Sequence, residues 1–193
     1  MKHPYSIQQK FGAAALLFLL CVLPARAADC DREDTFTKNE ISMKAEAFFG
    51  AMTEGLGTVI EKVFKEQGRP NAYIAGSEAS GAIGVGLRYG EGTLFQKCPG
   101  TRKVFWQGPS VGWDVGANAS KTFVLIYNLK NQDALFQRFP GVEGTFYYVA
   151  GAGVNYQRSG GITLAPIRTG VGLRAGANIG YLHYTRKHSW LPL

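Results

Sequence analysis

The chain has 193 residues, with 21 basic and 14 acidic side chains and a formal charge of +7. That length suits one domain with an adequate core, burying on the order of 70% of the unfolded surface. Its three cysteines and three histidines fall at no metal-ligand spacing, so no metal or other cofactor is expected.

The N-terminus carries Lys2 and Lys10, an apolar run from Phe11 to Leu23, and then Pro24-Ala25-Arg26-Ala27. Positive charge, a short apolar run and small residues at a cleavage site make a secretory signal peptide over 1–27, cut after Ala27. A membrane anchor needs about 20 apolar residues, and this run is shorter. Export follows, with no transmembrane helix after cleavage, and nucleic acid is not an expected partner. Without residues 1–27 the balance is 18 basic to 14 acidic side chains, or +4. Residues 28–78 hold six basic and ten acidic side chains, and 79–193 hold twelve and four. A basic strand region beside an acidic N-terminal segment points to mutual packing or to an anionic partner. Cys30 and Cys98 are the candidate disulfide, closing a 69-residue loop for roughly 4 kcal/mol in the chain-entropy model. Two free thiols are the alternative.

Residues 28–36 read as a mobile lead, and 37–193 as a single domain. Thr37-Lys38-Asn39-Glu40 has the Thr and Glu of a capping box, and opens a helix over 38–67. Ile41, Ala45, Phe48, Phe49, Met52, Leu56, Val59, Ile60, Val63 and Phe64 form one apolar stripe, and Gly68-Arg69-Pro70 ends it. Gly50, Gly55 and Gly57 predict a bend or break in the middle.

Beyond Pro70 the period falls to two. Strands are expected at 72–78, 81–90, 93–97, 103–107, 110–118, 120–128, 142–150, 151–158, 161–168 and 170–184, some of them continuous, with a short helix from Asn131 to Gln137. Gly84-Val85-Gly86-Leu87-Arg88-Tyr89-Gly90 returns as Gly170-Val171-Gly172-Leu173-Arg174-Ala175-Gly176. Each copy sets an apolar face against a nearly bare one. Interior glycines mark strong curvature or close backbone approach. The fold class is therefore mainly β, a small antiparallel barrel of about eight strands with the amphipathic helix packed on it. The apolar face reads as core, leaving the glycine face outward beneath the helix or another partner. The opposite orientation would bury Arg88, Arg174 and Asp114 together and require an Arg-Asp-Arg network.

The second glycine repeat also matches a dinucleotide-binding fingerprint, but it lies in a period-two run and opens no helix, so that reading is rejected. His183 and His188 read as an exposed tail without a nucleophile motif. The strand region offers Glu78, Glu91, Asp114 and Glu143 as carboxylates, few for an acid-base pair.

Lys103-Val104-Phe105-Trp106-Gln107-Gly108-Pro109-Ser110-Val111-Gly112-Trp113-Asp114, the stretch from Leu135 to Tyr156 and the stretch from Leu164 to Tyr181 carry a resemblance. Over about Ile41 to Lys187 the chain closely resembles the envelope-integrity protein A (EipA) family of alphaproteobacteria. That resemblance implies a soluble periplasmic β-barrel supporting envelope integrity, with no catalytic residues to carry over. A looser similarity to SYLF-type lipid-binding domains runs from Trp106 to Leu135 and motivates a lipid hypothesis.

The function expected is thus non-catalytic binding of an anionic envelope lipid or glycolipid, or of a periplasmic or outer-membrane protein. An enzyme acting on envelope lipid or glycan, and an integral outer-membrane barrel, are the alternatives. Candidate ligand-binding residues are Arg88, Arg102, Lys103, Asp114, Lys121, Arg158, Arg168 and Arg174, with Trp106 and Tyr156 as exposed aromatics that would cover acyl or sugar surface.

Overall fold

The computed structural model describes residues 34–98, 100–114, 119–169 and 180–189. The expected signal peptide, the second glycine-rich repeat at 170–176 with Arg174, and the C-terminal residues 190–193 lie outside the described residues, as does the side chain of Asp114.

Helix α1 (Lys38–Phe49) starts on the expected capping box: the Thr37 hydroxyl accepts from the Glu40 amide, and the Glu40 carboxylate accepts from the Thr37 amide. The predicted break is real. Gly50 ends α1 in the left-handed conformation (φ 96°), and Thr53 caps a separate helix α2 (Glu54–Gln67). Phe36, placed in the mobile lead by the sequence, is instead buried edge-on against Tyr73 at 5.3 Å, and its amide bonds the Pro70 carbonyl.

The strands are β1 (Ala72–Gln96), β2 (Thr101–Asp114), β3 (Ala119–Tyr127), β4 (Arg138–Pro140), β5 (Tyr147–Val149), β6 (Ala152–Val154), β7 (Gln157–Ser159), β8 (Ile162–Thr169) and β9 (Tyr181–Thr185). A 3-10 turn at Gln132–Leu135, capped by Asn131, stands where the short helix was expected. The nine described strands form one antiparallel sheet in the order β4-β9-β2-β1-β3-β8-β6-β5, with β7 also on β8. Several expected strands fuse, and β4 was not foreseen, because three residues are too few to show a period.

β1 pairs with β3 through Ala72–Ala79 and with β2 through Ala82–Phe95, so one long strand serves two neighbours by folding back on itself. The fold-back needs bare backbone. A methyl group on Gly76 would sit 2.3 Å from the Glu91 carbonyl oxygen, and one on Gly92 would sit 2.9 Å from the Gly76 Cα. At the other side the sheet curls until Gly141 bridges Gln157, bringing the chain after β4 against β7.

Two apolar clusters follow from the alternation. Outside, Ile41, Leu56, Val59, Ile60 and Val63 of the helices cover Tyr73, Phe123, Leu125, Ala165 and Ile167. Inside, Ile74, Leu94, Val104, Trp106, Val124, Ile126, Phe139, Leu164 and Tyr184 fill the curl. Burying such side chains stabilises by about 1.5–3 kcal/mol each.

Which face of the glycine-rich strand points inward reverses the expectation. Gly90 lies under the Trp106 ring, and Arg88 reaches buried Glu78, whereas Leu87 of the apolar face is 40% exposed. The bare face is inside because Trp106 occupies the volume that side chains at 76 and 90 would fill.

Candidate functional site

Two groups of polar side chains stand out, one inside the curled sheet and one on its outer surface. The inner group centres on Glu78 of β1, which is 4% exposed. Arg168 of β8 donates to it through Nε and, at 3.3 Å, through Nη2. Trp106 Nε1 donates to Glu78 Oε2 at 3.2 Å, and Arg88 Nε stands 3.7 Å from Oε1. The remaining fork of Arg168 donates to Asn155 Oδ1 at 2.9 Å. Asn155 reaches inward because β6 and β7, which share one edge of β8, are interrupted at Asn155 and Tyr156.

Burial alone would raise the Glu78 pKa, but Arg168 and Arg88, with the hydrogen bonds from Arg168 and Trp106, outweigh it and lower it. Glu78 is therefore a carboxylate held between two guanidiniums, and the buried Tyr184 phenol, its pKa raised by burial, lies within their field. The sequence anticipated that inward Arg88 would need an acid, and named Asp114. The acid seen beside Arg88 is Glu78, from the same strand folded back ten residues earlier, while the Asp114 side chain lies outside the described residues.

The expected ligand-binding set does not gather in one place. Arg168 is buried in the inner cluster, and Arg88 nearly so. Trp106 and Tyr156 are 1% and 4% exposed, which corrects their reading as surface aromatics. Trp106 is core, and the Tyr156 hydroxyl donates to Glu66 of α2. Lys121 donates to the Phe48 carbonyl at 2.7 Å, closing the C-terminal end of α1, and Lys103 pairs with Glu91 at 3.1 Å. Those two lysines and Phe48 border a shallow groove of about 340 Å³. Arg158 is exposed on β7. Cys98 is disulfide-bonded, while its expected partner Cys30 lies outside the described residues.

Arg102 belongs to the second group. Its Nη1 donates to Asp133 Oδ1 at 2.8 Å, and Arg186 Nη2 donates to the same oxygen at 2.9 Å. Both guanidiniums lie over the Phe136 ring, 4.8 and 4.6 Å from its centroid. Beside them a groove of about 420 Å³ runs between Phe136, β9 and the chain after it, lined by His183, Tyr184, Arg186, Lys187 and His188. His183 is no tail residue: it pairs with both Gln107 and Arg138 across the sheet, and burial followed by Arg138 lowers its pKa. His188 stacks on Tyr89 and meets Phe105 edge-on. Arg138, Phe136, Arg186 and Lys187 escaped the sequence reading because their contacts join β4, the 3-10 turn and β9, which are far apart in the chain.

A curled antiparallel sheet with an ionic cluster inside and two helices outside defines a small β-barrel-like domain. The chain belongs to the envelope integrity protein A family, whose model matches residues 34–193. The match extends beyond both ends of the stretch from Ile41 to Lys187 that carries the resemblance. Among solved structures, a beta-barrel-like, uncharacterized protein from Brucella abortus is 45% identical, with a TM-score of 0.77, over 83% of this chain and 100% of that chain. No curated protein matches.

Proposed function

We propose that this protein is an exported, non-catalytic β-barrel that supports cell-envelope integrity from the periplasm by holding an anionic envelope lipid or glycolipid. Family membership supports the envelope role. The binding reading rests above all on how charge is distributed. On the surface, Arg102 and Arg186 converge on one carboxylate, Asp133, Lys187 lines the groove beside them, and Arg138 lies over the Tyr181 ring. Two of the four strand-region carboxylates are held in ion pairs: Glu78 lies between Arg168 and Arg88, and Glu91 pairs with Lys103. None of the described helices is long and apolar enough to cross a membrane.

The test is genetic. Loss of the chain is expected to sensitise cells to detergent, with the full sequence restoring resistance and a version lacking residues 1–27 failing to do so. Restoration by the version without residues 1–27 would place the work inside the cytoplasm and end the periplasmic reading.

A further inference from the structure

We propose that the groove between Phe136, β9 and the chain after it is a phosphate-binding site, which takes the phosphate of a lipid headgroup or of a free phosphate ester. This deepens the binding reading above and rests on it for the envelope source of the ligand.

The geometry is that of an anion site already outlined by an internal anion. Two guanidiniums from segments 84 residues apart, Arg102 and Arg186, converge on one oxygen of Asp133. Each carries five N–H donors in a fixed fork, and each is held over the same ring. Stacking on an aromatic face restrains a guanidinium before any ligand arrives, which lowers the ordering cost of binding. Planar forks suit phosphate oxygens as they suit a carboxylate. Lys187 adds a further cation at the groove edge and forms no ion pair among the described residues, while Arg138 lies over the Tyr181 ring beside His183. Among the groove's walls, the Nδ1 of His183 is buried without a hydrogen-bond partner. The groove bordered by Lys103 and Lys121 is the weaker candidate, because one lysine is paired with Glu91 and the other closes a helix.

The experiment uses the purified protein, titrated with inorganic phosphate while the ring protons of His183 and His188 are followed by NMR. A parallel arm measures retention on phosphatidylcholine vesicles with and without phosphatidylglycerol. Wild type is compared with Arg102→Ala combined with Arg186→Ala, with Asp133→Asn, and with Lys44→Ala on exposed α1 as a control. Saturable shifts at the two histidines are expected. Binding should weaken about tenfold or more in the double arginine variant, a change of 1.4 kcal/mol per tenfold. It should tighten in Asp133→Asn, which removes the competing carboxylate, and stay unchanged in Lys44→Ala. Raising salt should weaken it, since exposed charges are screened beyond about 8 Å at physiological ionic strength. Absence of phosphate-induced shifts, or shifts that survive in the double variant, overturns the site. Retention on anionic vesicles that the double variant abolishes identifies the lipid headgroup as the source. Phosphate binding without vesicle retention keeps the site and removes the lipid part of the proposed function. Vesicle retention that survives in the double variant removes the site and leaves lipid binding standing.

Discussion

At the scale of single residues, Glu78 has the largest consequence. One carboxylate answers two guanidiniums and an indole N–H in the interior, so its removal breaks the buried ion pair with Arg168 and takes a counter-charge from Arg88. Breaking a buried ion pair from one side costs about 3–5 kcal/mol, whereas replacing both partners with apolar residues of similar volume is often near neutral. Glu78→Ala is therefore expected to lower the unfolding free energy by that amount, read as a fall in the urea midpoint. Glu78→Leu combined with Arg168→Met should recover part of the loss. Equal stability of Glu78→Ala and wild type would show that the cluster is solvated.

At the scale of elements, the three glycines that predicted a helix break turn out to do three different things. Gly50 ends α1 at a positive φ of 96° with open space around it. Gly55, in the first turn of α2, lies against the sheet, where a methyl group would sit 2.4 Å from the Ala150 carbonyl oxygen. Gly57 has only the Met52 sulfur within 4 Å, at 3.9 Å. Gly57→Ala should therefore stabilise α2 by about 0.5–1 kcal/mol, the helix-propensity difference. Gly55→Ala should destabilise by about 1–3 kcal/mol as α2 is pushed off the sheet. Thermal melts of the two variants moving in the same direction would contradict this packing.

At the scale of the whole molecule, buried and paired groups set the pH range of stability. On the acid side, burial and then Arg138 lower His183 from 6.5. Hydrogen bonds, first from the Thr37 amide, bring Glu40 from 4.5 to about 2, and Lys62 and Tyr156 lower Glu66. Groups with lowered pKa bind protons more readily when unfolded, so stability falls as pH drops below 6.5 and further below 4.5. On the alkaline side, burial raises the phenols of Tyr127, Tyr156 and Tyr184 above 10.0. The unfolded phenols then ionise first, and stability falls as pH rises past 10.0. The urea midpoint should be highest between pH 6.5 and 10.0 and fall on both sides. A midpoint unchanged as pH rises past 10 would place those phenols in solvent.

Local features were legible in the amino-acid order because neighbouring residues produce them. The capping box at Thr37 and Glu40, the interruption of the long helix at Gly50, the turn capped by Asn131 and the period-two run after Pro70 all stand where the sequence put them. So does the mainly antiparallel barrel class, since glycine-rich alternating strands curve. Alternation defines two faces of a strand but not which one is inside. That choice depends on what covers each face, and here the Trp106 indole from β2 lies over Gly76 and Gly90 of β1. The same long-range packing set Glu78 beside Arg88, buried Arg168 and Tyr156, and brought Arg102 and Arg186 onto one ring. Such pairings join residues tens of positions apart, so only the folded sheet decided them.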